Sequence, residues 1–286
     1  MSLGAKRGFI MARRVGESTM VPMGDDAETP AYRARTRLHV ADSLIADGSV
    51  SLGREATHYL RDVLRLKLGA ELAVFNQRDG EWTATLSHFG RNEATLTLRA
   101  RLREPAAEPD LWLLFAVLKR TRTDLVVEKA TELGVSRIMP VITARTQAAR
   151  VNTERLGLIA REAAEQCERL TLPAVDEPQT LADVLASWPS SRRLIVADEA
   201  GGGRPIAEAL REVSGFPSVT WALLIGPEGG FDGAELDRLR KLPFVTPVAL
   251  GPRILRAETA AIAALACVQA LIGDWKIGVR SEPLSS

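Results

Sequence analysis

Histidine is scarce in this chain of 286 residues: there are three, His39, His58 and His88. None follows position 88, so the larger, later part of the chain cannot by itself host a Ser-His-Asp triad, a Cys-His dyad or a histidine-ligated metal. Cysteine is scarcer still. Cys167 and Cys267 stand far apart without CxxC spacing, which argues against a zinc ribbon or a disulfide framework and suits a reducing cytoplasm. No apolar run approaches the roughly 20 residues that span a bilayer, and no apolar stretch follows Arg13 and Arg14 as it would in a secretory leader. A net charge of one sign is also missing. Lys+Arg 37 against Asp+Glu 36 leaves +1, which excludes an indiscriminate polycation. Chemistry in the later part must therefore rely on backbone amides, carboxylates, arginines or a cofactor; no metal and no membrane are expected.

What is present is ordinary for a globular chain. Hydrophobic residues make up 46% and charged residues 26%, and the length suits two domains. Residues 1–36 lack sustained periodicity and read as a disordered extension. From 37 to 104 the texture is strand-rich: 72–75, 81–87 and 94–102 alternate roughly, with Asp79-Gly80 and Gly90-Arg91-Asn92 as turns. One helix, 54–66, interrupts them, giving a small β-barrel-like module. Residues 105–109, bounded by Pro105 and Pro109, read as a stiff linker. Over 110–275, apolar strands at 111–118, 135–142, 193–198, 221–226 and 245–250 alternate with helices at 123–133, 153–170, 181–188, 205–213, 234–242 and 258–272. That pattern predicts a mostly parallel sheet covered on both faces, an α/β domain. Residues 276–286 form a tail.

The helix over 54–66 carries a basic stripe. At about 100° per residue, Arg54, His58, Arg61 and Arg65 fall within about 60° of arc, opposite Ala56, Tyr59, Leu60, Val63, Leu64 and Leu66. Arginine's planar fork suits phosphate, so the stripe is a candidate RNA contact. The alternative is the solvated face of any amphipathic helix, since Glu55 and Asp62 flank it.

Two glycine loops carry more information. In the first, the strand Trp221–Ile225 runs into Gly226-Pro227-Glu228-Gly229-Gly230-Phe231, and Asp232 and Glu235 then have the spacing of an acidic capping box. Ligands of open α/β sheets bind at the carboxyl ends of strands, and glycines there admit close approach. Neither GxGxxG nor GxxxxGK[ST] is present, which disfavours ordinary dinucleotide and P-loop sites. In the second, Leu250-Gly-Pro-Arg-Ile-Leu-Arg-Ala-Glu-Thr-Ala260 opens a helix that is apolar around nearly its whole circumference. Such a helix is buried on every side, either in a homodimer interface or as a central core helix of one chain.

These paired loops resemble the RsmE family, S-adenosylmethionine-dependent 16S rRNA uridine-N3 methyltransferases of the SPOUT class. Lys119 with Asp124–Val135, Arg161–Arg169, and His58 with Val63–Leu66 resemble further family segments, so the likeness spans about 37–275. Thr57-His58 and Cys167-Glu168 depart from the usual pairs. The resemblance implies a PUA-like N-terminal barrel over 37–104 and a trefoil-knotted SPOUT methyltransferase domain over 110–275. It implies that S-adenosylmethionine is held by the strand end Val196 and Ala197, by Leu224, Ile225, Gly226, Pro227, Gly229 and Gly230, and by Leu250, Gly251, Ile254, Leu255, Arg256, Thr259 and Ala260. Attack by uridine N3 requires loss of its proton, so Arg256 is the candidate for the substrate anion and Glu228 or Glu258 the candidate acceptor. Glu258 has the alternative role of an acid stabilising the first turn of its helix. Lys119, Arg120 and Arg122, after the first strand of the α/β region, extend the candidate RNA track, completed across a homodimer. The implied partner is 16S rRNA in the small subunit. Rival readings are a SPOUT enzyme acting on tRNA or a ribose, and a non-enzymatic RNA-binding assembly factor.

Overall fold

The computed structural model describes residues 36–147, 150–213 and 220–276. The expected extension over 1–36 and tail over 276–286 lie, apart from their innermost residues, outside them.

The first region is a five-stranded sheet: β1 (Arg37–His39), β2 (Ser49–Leu52), β3 (Glu71–Asn76), β4 (Gly80–Phe89) and β5 (Ala94–Arg103), in the order β1-β3-β4-β5-β2. β1 lies parallel to β3, and the other pairs are antiparallel. Alternation determines the buried face. Ala94, Leu96 and Leu98 of β5 are fully buried while their neighbours are not, and they pack with Val50, Leu72, Val74, Ala84 and Leu86.

The expected helix over 54–66 is corrected. An α-helical turn, α1 (Arg54–His58), passes into a π-helical turn over Tyr59–Val63, and Arg65 sits at φ 55°. The wider i→i+5 turn breaks the 3.6-residue period. Leu60 is fully buried, yet Tyr59 and Val63, expected inside, are exposed.

The second region alternates strand and helix: β6 (Leu111–Ala116), α2 (Arg120–Glu132), β7 (Arg137–Ile142), α3 (Thr153–Gln166), β8 (Ala174–Val175), β9 (Gln179–Thr180), α4 (Leu181–Ala186), β10 (Arg192–Ala197), β11 (Arg204–Pro205), α5 (Ile206–Val213), β12 (Thr220–Ile225), α6 (Gly233–Arg240), β13 (Val245–Ala249) and α7 (Ala257–Leu271). The sheet is parallel throughout, in the order β11-β13-β10-β12-β6-β7-β8, with β9 also on β7. The short strands β8, β9 and β11 have too few residues to show a period.

Continuous apolar strands bury both faces. Along β12, Trp221, Leu223 and Ile225 join one core with α2, α3, α5 and α7, while Ala222 and Leu224 join the other with α4 and α6. Polar side chains set the helix starts: Asn152 accepts from Arg155 N at 2.9 Å, and Thr180 accepts from Asp183 N at 3.1 Å. The predicted acidic box forms, with Asp232 accepting from Ala234 N at 3.0 Å and Glu235 accepting from Asp232 N at 3.1 Å.

The two regions are joined by more than chain. Arg37 of β1 donates to the Ala164 and Glu165 carbonyls at 3.0 and 2.9 Å and to Arg169 O at 3.2 Å, capping the end of α3. Its Nε pairs with Glu81, which Arg103 also engages, and Arg103 donates to Glu168 O at 2.8 Å.

Candidate active site

Three loops meet at the carboxyl edge of the sheet because β13, β10 and β12 are neighbours. From β10 come Val196, fully buried by its side chain, and Ala197. From β12 come Leu224 and Ile225, both buried, then Gly226, Pro227, Glu228, Gly229 and Gly230. A Cβ on Gly226 would lie 2.9 Å from the Phe231 ring, so only glycine lets the chain turn over that ring. From β13 come Leu250 and the loop to α7, with Gly251 at φ 100° and Ile254 94% exposed. Thr259 and Ala260 follow on the first turn of α7, Thr259 exposed and Ala260 buried. The structure thus brings the strand ends and loops named above to one edge. Among the described residues, Gly251–Leu255 make no backbone hydrogen bond within the chain. Gly251–Ile254 are exposed and Leu255 half-buried, so this backbone, Pro252 apart, keeps donors and acceptors such as a small polar ligand requires.

The charged residues of the edge fall into two groups. Arg122 reaches across from α2: its Nη1 donates to Glu228 Oε1 at 3.1 Å, and its Nε lies 3.5 Å from Glu258 Oε1. Glu258 Oε2 is buried without a hydrogen-bond partner among the described residues. Arg256, at the start of α7, is exposed and makes no ion pair among the described residues. Lys119 and Arg120 are exposed beside Arg122.

Sequence reasoning missed several residues of the edge. Arg145, after β7, donates to Gly229 O at 3.0 Å and lies 3.6 Å from Asp232. Glu199, after β10, accepts from Phe231 N at 2.9 Å. Asp198, its side chain fully buried, takes a two-pronged hydrogen bond from Arg240 at 2.9 and 2.7 Å. Arg145 and Glu199 follow their strands by three and two residues. The rule that pointed to the glycine loops, that sites gather past strand ends, would have found them.

The basic stripe is redistributed. His58 pairs with Asp62 at 2.5 Å. Arg61 donates to Gly90 O and, at 3.1 Å, to Arg91 O, with its guanidinium 4.8 Å from the Phe89 ring centroid. Arg54, His58 and Arg61 line a cavity of about 290 Å³ with Glu55, Asp62, Arg91 and Asn92. Arg65 is exposed and lies outside that lining. Arg91 and Asn92, read from the sequence only as a turn, are thus part of this surface. Among the described residues no group of three or more His, Cys, Asp or Glu is gathered as for a metal ion, and no helix is long and apolar enough to cross a membrane.

This arrangement coincides with two family models: an RNA methyltransferase domain over residues 106–269 and an RNA methyltransferase PUA domain over residues 52–99. The fold is therefore that of an RNA methyltransferase, a SPOUT-type α/β domain behind a PUA-like domain. The ribosomal RNA small subunit methyltransferase E of Rickettsia conorii is 35% identical over 236 residues, 82% of this chain and 95% of that protein. Its namesake from Synechocystis is 33% identical, covering 82% and 78%. A crystal structure of the Neisseria gonorrhoeae protein of the same name, bound to S-adenosyl methionine, matches with a TM-score of 0.73 at 26% identity, over 84% of this chain and 99% of that one. The chain belongs to the ribosomal RNA small subunit methyltransferase E family.

Proposed function

We propose that the protein methylates N3 of a uridine in 16S rRNA of the small ribosomal subunit, with S-adenosylmethionine as donor. The observation that carries this reading is the set of three loops past adjacent strands β10, β12 and β13, with the Gly251–Leu255 backbone open to a ligand, in a chain of this family. When bound there, the donor supplies a methyl group made electrophilic by its sulfonium.

The residues around it do the rest. Backbone groups of 196–197, 224–230 and 250–255, with Thr259 and Ala260, hold the donor. Arg256, exposed and unpaired among the described residues, stabilises the uracil oxygen as N3 loses its proton. Glu228 or Glu258 takes that proton. The N3–H bond breaks toward nitrogen, and that electron pair bonds the methyl carbon as the carbon–sulfur bond breaks toward sulfur. Holding N3 in line with that bond lowers the barrier without further chemistry.

The Arg54–Arg65 surface with Lys119 and Arg120 forms the RNA track of this reading; Arg122, expected in that track, faces Glu228 and Glu258 instead. A homodimer belongs to it too: α7 buries Ala261, Ala264, Leu265 and Val268 in its own chain but leaves Ile262, Ala263 and Ala266 half-open and Ala270 exposed, an apolar stripe suited to a second copy. The trefoil knot and a cytoplasmic setting complete it.

Incubating purified, unmethylated small subunits with labelled donor, followed by nucleoside mass spectrometry, is expected to place the label in 3-methyluridine. Arg256→Ala is expected to abolish transfer while donor binding, measured by calorimetry, stays largely intact. Label on tRNA or on a ribose oxygen, or full turnover by the variant, would overturn the corresponding assignment.

A further inference from the structure

Arg122, Glu228 and Glu258 come from three separate places: the first turn of α2, the loop after β12 and the first turn of α7. They meet because β6, which leads into α2, lies beside β12. One guanidinium holds both carboxylates through different nitrogens, Nη1 at 3.1 Å from Glu228 and Nε at 3.5 Å from Glu258. An RNA-phosphate contact needs a guanidinium turned outward and free of carboxylates. Arg122 is neither: its side chain is 31% exposed, and it faces two anions that would compete with phosphate.

The second observation concerns Glu258 itself. Its Oε1 faces Arg122, whereas Oε2 is buried with no hydrogen-bond partner among the described residues. An unsatisfied buried oxygen is costly, so this one calls for a hydrogen-bond donor that the described residues do not supply. The role of acid at a helix start does not explain that oxygen, because the helix amides can be complemented from the surface.

We propose that Arg122 is a positioning residue for methyl transfer: it holds Glu228 and Glu258 together at the edge of the donor site and turns the free oxygen of Glu258 toward the N3 proton of the uridine. The inference rests on the proposed uridine methylation. Arg122 acts through the carboxylates, touching neither donor nor base.

The test is a double-mutant cycle on the full-length protein with small subunits as substrate. Arg122→Gln is expected to lower kcat by about 10²-fold with little change in KM, and Arg122→Lys to recover part of the loss. Donor affinity by calorimetry and the thermal midpoint should stay close to wild type, which separates the effect from misfolding. In a Glu258→Gln background, adding Arg122→Gln should cost less than about threefold, because the interaction it supports is already gone. Losses that multiply in the double variant would overturn the proposal. So would a raised KM and a flatter salt dependence with kcat intact, which is the pattern of a phosphate contact. Failure of the underlying reading appears elsewhere, as absence of 3-methyluridine with the wild-type protein.

Discussion

Gly226 illustrates how one residue ties fold to site. It follows β12 directly, and the Phe231 ring that closes over it is 4% exposed and belongs to the core shared with Leu224 and Leu236. A methyl group at 226 would sit 2.9 Å from that ring, with other ring carbons at 3.2 Å, so the ring or the loop must move. Gly226→Ala is expected to cost about 1–3 kcal/mol of stability by overpacking and to weaken donor binding, since the same loop belongs to the proposed donor site. Urea unfolding and calorimetry measure the two effects; a variant unchanged in both would mean the loop yields without consequence. A glycine at a strand end was legible in the sequence, but its reason, an aromatic ring folded back from five residues on, was not. Arg61 shows the converse. Its charge suggested phosphate, yet the fold aims it at two carbonyls of the 90–91 turn and leaves Arg91 beside the cavity.

At the scale of elements, α7 and α1 mark where periodicity succeeds and fails. The sequence of α7 shows an apolar helix and cannot say what covers each side; the fold covers one face and leaves the stripe Ile262, Ala263, Ala266 and Ala270. Ala266→Glu places a carboxylate in that stripe without touching the buried face. It is expected to leave the protomer folded and convert the proposed dimer to a monomer, read by light scattering after size exclusion. A variant that keeps the wild-type mass would remove α7 from the interface. In α1 the projection at 3.6 residues per turn fails at Tyr59, where a π-helical turn begins. Hydrophobic spacing cannot register that change, because five residues of π-helix carry no period of their own.

At the scale of the whole molecule, the five-stranded sheet meets the α/β domain where β1 is hydrogen-bonded to α3. His39 lies there, its backbone N–H donating to Glu165 Oε1 at 3.0 Å and its ring edge-on to Phe75 at 5.6 Å. Burial, and secondarily the charge of Arg161, lower the imidazole from its ordinary 6.5 to about 4. Unfolding therefore releases a group that takes up a proton below pH 6.5, whereas the folded protein resists protonation down to about 4. The histidine's contribution is present above pH 6.5 and is lost as pH falls toward 4. Glu165, raised chiefly by burial, slopes the other way, so the wild type alone would mix the two. Denaturation curves of wild type and His39→Gln at several pH values isolate the histidine: the wild type should lose stability relative to the variant across that window. Parallel curves would show that the joint does not feel the imidazole.

Periodicity and loop chemistry, both local, were enough to divide the chain into a strand-rich module and an α/β domain and to point to Gly226–Gly230 and Leu250–Ala260 as the candidate site. Apolar strands must be covered on both faces, and ligands gather past strand ends. Only the tertiary structure decided that β13, β10 and β12 are neighbours, that Arg122 holds Glu228 and Glu258, and that Arg37 caps α3. Strand order and charge pairing depend on residues far apart in sequence meeting in space, so no local pattern records them.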